Sequence, residues 1–250
     1  MSSIETPPPR PPRIWKFWGT SLWGLLLFAA MFAGQFLLVA AFFLTKGPPF
    51  DLASIKAVAS AGTVISLSVM MGLPAVLALL WLATRMARTP FADYLALRRI
   101  SWIDLLIGMV ALIALIVGWD LLSRALGRDM TPGFMVEVLR SAQADGSLWL
   151  LVIAFSLAAP VTEELMVRGF LYRGWSESFL GALGAIVLSS LVWTAMHAQY
   201  YDWFPFCEVM SIGLLLGYMR YRSNSTWLTI IMHSINNLAA TLQSIWLAGQ

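Results

Sequence analysis

Both histidines of the chain, His197 and His233, lie inside long uncharged runs, and a pair of carboxylates, Glu163 and Glu164, closes another such run. An ionisable group in hydrocarbon costs several kcal/mol, so a chain that keeps these groups there is using them. The pair opens the string Glu-Glu-Leu-Met-Val-Arg-Gly, residues 163–169. Glu164 and Arg168 are four apart, one helical turn, and can form an ion pair on one face. Glu163 points about 100° away and has no partner in its own segment. Pro160, three residues earlier, removes a backbone donor and kinks a helix, which admits water or substrate. His233 and Asn237 are again four apart and stack on one face of the last run. Asn236 points elsewhere and reads as a helix-to-helix hydrogen bond.

These residue types suit attack on an amide. A carboxylate and an imidazole orient and deprotonate a water; a second imidazole and a carboxamide donate to the oxyanion that forms. Alternatively Glu163, His197 and His233 hold a zinc ion with water in the fourth position. No HExxH string is present, so the single-helix zinc signature is missing, and spacing leaves zinc and metal-free chemistry both open. No Ser or Cys stands in a recognisable nucleophile-and-base signature, which disfavours covalent catalysis. The bland alternative is that Glu163, Glu164 and Arg168 form an ordinary charged cluster at headgroup level.

The strings Glu163-Glu164-x-x-x-Arg168, Trp193-x-x-x-His197 and His233-x-x-x-Asn237 follow one another in the order of a known family. They resemble the CPBP intramembrane proteases, which include Rce1-type CAAX prenyl proteases and bacterial bacteriocin-processing or Abi proteins. The continuation Arg168-Gly-Phe-Leu-Tyr172 adds to the likeness, which covers about residues 148–245. The resemblance implies that Glu163 activates water with help from His197. It also implies that His233 and Asn237 stabilise the oxyanion and that Glu164 with Arg168 fixes the helix. The family is described both as metalloproteases and as metal-independent glutamate proteases. Trp193 stands where the family usually has Phe, a change expected to alter packing near His197 rather than chemistry.

The elements that must position these groups are membrane helices. The chain has 250 residues, 59% hydrophobic and 12% charged, with mean hydropathy +0.76. A soluble domain carries about 25% charged residues, so lipid must solvate much of the surface. Net charge is +3, but the basic residues fall between apolar runs, where they set topology, and no aromatic-basic groove suggests nucleic acid. A single cysteine, Cys207, excludes an internal disulfide and a CxxC knuckle.

Spanning helices need about 20 apolar residues. Seven runs are candidates, the third shorter than the rest: Leu22 to Leu44, Ala57 to Thr84, Leu105 to Trp119, Gly146 to Thr162, Ser178 to Tyr201, Trp203 to Met219 and Ser223 to Gln250. The expected fold is an all-α polytopic membrane helix bundle of about seven spans, or eight if residues 129–145 add a half-buried helix. Residues 1–17 read as a disordered basic cytoplasmic tail and residues 18–250 as a single membrane domain, with a protease-like core at 148–245. Arg10, Arg13 and Lys16 place the N-terminus in the cytoplasm, in what is expected to be a prokaryotic inner membrane. Arg124, Arg128 and Arg140 then fall on the opposite side.

One conflict follows. Counted from cytoplasmic boundaries at 1.5 Å per residue, Glu163 and His233 lie roughly 15 Å deep but His197 roughly 28 Å. A fold-back of Gly169 to Gly181 inside the membrane would bring them level. The expected activity is endoproteolysis of a membrane-associated or lipidated, CAAX-type peptide, with membrane lipid and that peptide as partners. A non-catalytic immunity or scaffold protein of the same fold is one rival. A transporter using Glu163, Glu164, His197 and His233 as a proton relay is another, although no internal repeat supports it.

Overall fold

The computed structural model describes residues 11–47, 49–128, 133–198 and 202–248. All regular structure among them is helical: α1 Lys16–Lys46, α2 Leu52–Ala59, α3 Gly62–Met86, α4 Phe91–Tyr94, α5 Trp102–Ala125, α6 Gly133–Ala144, α7 Leu148–Ile153, α8 Ala159–Glu164, α9 Tyr172–Ser176, α10 Gly181–Ala195, α11 Trp203–Ser223 and α12 Thr226–Ala248. Segments α7, α8 and α9 form one long helix, Leu148–Ser176, interrupted by π-helical turns at Ala154–Ala158 and Leu165–Leu171.

Four helices among the described residues are long and apolar enough to cross a membrane: Lys16–Lys46, Gly62–Met86, Trp102–Ala125 and Leu148–Ser176. Gly181–Ala195 is a shorter apolar helix, and α11 and α12 have spanning length at lower hydropathy, because they carry the polar groups of the site. The surface agrees with this reading. On α5, Trp102, Leu106, Val110, Ile113, Val117 and Leu121 recur at helical spacing, and all are exposed, whereas Gly108 and Leu112 on the other face are buried. An apolar stripe of that extent is stable against lipid and not against water. The chain is a polytopic helical membrane protein.

Without a hydrophobic force between helices in lipid, close approach comes from small residues. α1 packs along α3 in this way. A Cβ on Gly72 would meet the Met31 carbonyl oxygen at 2.9 Å, and one on Gly34 would meet Ser68 O at 3.1 Å. The main core gathers Leu27, Leu80, Tyr94, Leu95, Met166, Phe170, Leu216 and Met232. A smaller cluster of Ile65, Val138, Leu139, Ala142 and Leu151 fastens α6 to the bundle, so the extra helix expected within 129–145 exists from Gly133 onward.

The N-terminal segment is tied down as far as the structure describes it. Arg13 N–H donates to Ala87 O at 2.9 Å and Trp15 Nε1 to Ala83 O at 3.0 Å. Residues 1–10 of the expected tail lie outside the described residues, as do 199–201 of the loop expected between the fifth and sixth runs. Two of the three basic residues expected on the opposite side, Arg124 and Arg128, have acidic partners. Arg128 pairs with Asp202 at 2.6 Å and Arg124 with Asp120 at 2.9 Å.

The proposed fold-back is not there: the chain stays helical through Ser176, turns at 177–180, and re-enters as α10 at Gly181. The depth conflict dissolves differently. At 1.5 Å per residue, Trp193 lies roughly 18 Å above Gly181, about level with Glu163 above Ser176. His197 follows the end of α10 and turns back, its Nδ1 bonded to Trp193 O at 2.9 Å. The residue that reaches across is therefore Trp193.

Candidate active site

Pro160 explains the first π turn. Its ring crowds the preceding turn, and the helix relaxes to i→i+5 bonding, seen where Ala159 N–H reaches Ala154 O. In that register the next carbonyl, Phe155 O, should receive a bond from residue 160, which as proline has no N–H. Asn237 supplies the missing donor: its Nδ2 bonds Phe155 O at 3.0 Å. The second π turn leaves a similar gap. Tyr172 N–H bonds Val167 O in i→i+5 register, and the return to α register passes over the Arg168 carbonyl. Arg220 Nε fills that gap at 3.1 Å and also bonds Thr226 Oγ1 at 3.1 Å. Isolated π turns are frequent at functional sites. Here they flank the Glu pair on both sides.

Glu164, Arg168 and His233 form a buried triad. Glu164 Oε1 accepts from Arg168 Nη1 at 2.9 Å and from His233 Nδ1 at 3.0 Å, and Arg168 Nη2 donates to Gly213 O at 3.0 Å. Glu164 and Arg168 are 0% exposed and His233 is 2% exposed. The sequence-expected ion pair at i,i+4 is present, and it recruits His233 from α12. Glu163, His197, Asn236 and Asn237 are only partly buried and form the accessible layer in front of the triad.

Trp193 joins the two layers. Its Nε1 donates to Glu163 Oε2 at 2.6 Å. Its ring meets His197 edge-on at 4.9 Å and His233 at 5.2 Å, with the Arg168 guanidinium 4.8 Å from the ring centre. Glu163 and His197 therefore flank a single indole. The expectation that Trp in place of Phe changes packing alone is corrected, since the indole N–H is a hydrogen-bond donor to the carboxylate. Nothing in the spacing announced this; the one signal was the unusual residue itself.

Tautomers follow from the partners. A carbonyl and an ionised carboxylate only accept, so both imidazoles carry hydrogen on Nδ1 and, when neutral, a lone pair on Nε2. His197 is thus oriented to accept a proton. His233, with its Nδ1–H committed to Glu164, can donate through Nε2 only when both ring nitrogens carry hydrogen. Asn237 has one amide hydrogen committed to Phe155 and accepts from Asn236 Nδ2 at 3.3 Å. The helix-to-helix bond expected of Asn236 is made by Asn237 instead.

Tied-back Nδ1 atoms are also what metal-binding imidazoles show. Yet among the described residues no group of three or more His, Cys, Asp or Glu side chains could hold a metal ion. Glu163, His197 and His233 do not close into a ligand shell, and Glu163 Oε2 is engaged by Trp193. As placed, the three side chains make a hydrogen-bonded acid-imidazole arrangement around Trp193.

Comparison with known proteins places this site in context. Residues 145–239 match the family model described as type II CAAX prenyl endopeptidase Rce1-like. An Escherichia coli protein described as an uncharacterized 24.3 kDa protein is 29% identical over 130 residues, 51% of this chain and 58% of the relative. The UPF0177 protein YbdI of Lactococcus lactis subsp. lactis (strain IL1403) is 31% identical over 90 residues, 36% of this chain and 46% of the relative. The chain thus spans about half the length of the curated relatives it matches. No solved structure matches significantly.

Proposed function

Starting from an Rce1-like segment that holds every site residue named above, we propose that this chain is an intramembrane endopeptidase. It hydrolyses a peptide bond in a membrane-associated or lipidated, CAAX-type peptide. One observation carries the reading. The accessible Glu163 carboxylate and His197 imidazole flank one indole, in front of a sealed ion pair that keeps the helix in place.

In this mechanism a water bound between Glu163 and His197 attacks the scissile carbonyl carbon. Its proton passes to Glu163 Oε1 or His197 Nε2 and then to the departing amine. The second amide hydrogen of Asn237 and the Nε2–H of an imidazolium His233 stabilise the oxyanion. Glu164 and Arg168 touch no substrate and hold His233 and the π turn in register. The N-terminus is cytoplasmic in this proposal, with the peptide entering from that side of a prokaryotic inner membrane.

The experiment is reconstitution in liposomes with a panel of fluorogenic farnesylated and unmodified peptides. Wild type is expected to cleave and Glu163→Gln to lose at least roughly a hundredfold in rate, as loss of a general base does. Equal cleavage by Glu163→Gln would overturn the proposal. Proton flux dependent on Glu163, without cleavage, would favour a transporter, and unchanged biological activity of Glu163→Gln a scaffold.

A further inference from the structure

We infer that Trp193 is a positioning residue for Glu163: its indole N–H holds Oε2 and leaves Oε1 as the proton acceptor. The inference deepens the protease reading and rests on it. A free carboxylate presents two equivalent oxygens and turns about its last torsion. A single charge-assisted bond at 2.6 Å removes both freedoms, because such bonds are short and strong. The donor is itself immobile. Trp193 is 3% exposed, with two imidazoles in T-shaped contact and a guanidinium over its face.

Room for the indole is provided by the neighbouring helix. On α11, a Cβ on Gly213 would meet Trp193 Cε3 at 3.1 Å and Arg168 Nη2 at 3.5 Å. The absence of that Cβ lets α10 and α11 close over a ring larger than phenyl. A phenylalanine at 193 would keep apolar packing and lose the donor. The same indole fixes the spacing between Glu163 and His197, so orienting the base and aligning it with its imidazole partner are one function of one side chain.

The test uses the full chain in lipid nanodiscs with 15N-labelled tryptophan. Trp193→Phe assigns the indole N–H signal of Trp193, which is expected downfield of the other tryptophans and to move upfield in Glu163→Leu. In parallel, Trp193 is replaced by benzothienylalanine, which keeps the ring shape and exchanges N–H for sulfur. Against a fluorogenic farnesylated peptide, kcat is expected to fall roughly tenfold, the worth of one hydrogen bond to a charged group. KM is expected to stay within about twofold, since ground-state binding is untouched. An indole signal indifferent to Glu163→Leu, or wild-type kcat in the analogue, overturns the inference. If the wild-type chain cleaves no peptide in a Glu163-dependent way, the protease reading fails, and the indole signal alone then decides whether Trp193 holds Glu163.

Discussion

A single oxygen of Glu164, Oε1, accepts hydrogen bonds from both Arg168 and His233, at 2.9 and 3.0 Å, with none of the three groups more than 2% exposed. Removing one partner of a buried pair leaves an uncompensated charge, which costs about 3–5 kcal/mol, whereas removing both partners together costs much less. Arg168→Met is therefore expected to destabilise the detergent-solubilised protein by about that amount. The double variant Glu164→Leu/Arg168→Met should lose less than the sum of its single variants. Thermal unfolding of the four proteins measures the coupling; strict additivity would mean that the pair does not interact.

Asn237 and Pro160 are linked through a carbonyl that neither owns. Because residue 160 cannot donate, Phe155 O depends on Asn237 Nδ2. Asn237→Leu should cost about 1 kcal/mol, the net worth of a hydrogen bond to a partly buried acceptor. Pro160→Ala restores an N–H at the missing position, so Pro160→Ala/Asn237→Leu should recover part of that loss. Chemical denaturation of the cycle gives the answer. No recovery in the double variant would detach Asn237 from the π turn.

How much of this was legible in the residues depends on range. Glu164 and Arg168 are one turn apart, and their pairing followed from helix periodicity alone. The apolar runs located the long helices, because lipid imposes length and composition directly. Arg220 lies between two apolar runs, and its position in the sequence suggests only a charge that sets topology. Its bond to Arg168 O spans 52 residues and exists because a π turn strands that carbonyl. Trp193 was read as a packing variant, since no periodicity rule says where an indole N–H points. The fold-back was wrong because a straight depth count ignored side-chain reach, which a tryptophan supplies and a smaller residue would not.

Gly213 and Trp193 should be energetically coupled. Gly213→Ala gains up to about 1 kcal/mol of helix propensity but forces a methyl against the indole, and overpacking costs about 1–3 kcal/mol. A net loss of stability is expected. In a Trp193→Phe background the smaller ring yields and Gly213→Ala should cost less, the remaining tight contact being Ser190 Cβ at 3.2 Å. Unfolding temperatures of the two single variants and the double variant test this; the same shift in both backgrounds would show that the ring does not feel the methyl.

Tyr94, in the short helix α4 outside the long spans, links stability to pH. It is fully buried and stacked on Phe170 at 5.2 Å, and its hydroxyl oxygen accepts from Trp15 N–H at 3.3 Å. Burial pushes the phenol from its ordinary 10.0 up to about 12. A group whose folded pKa is raised stabilises the fold fully below its unfolded value and loses that contribution as pH rises through the folded one. In the unfolded chain Tyr94 begins to lose its proton near pH 10.0 while the folded chain holds it to about 12, so stability falls across that window by about 3 kcal/mol. Tyr94→Phe removes the titrating group and keeps the ring, at the cost of the bond to Trp15. Unfolding free energy measured from pH 8 to 12 should drop more steeply in wild type than in Tyr94→Phe. Parallel curves would show that Tyr94 is not the group that couples alkaline pH to the fold.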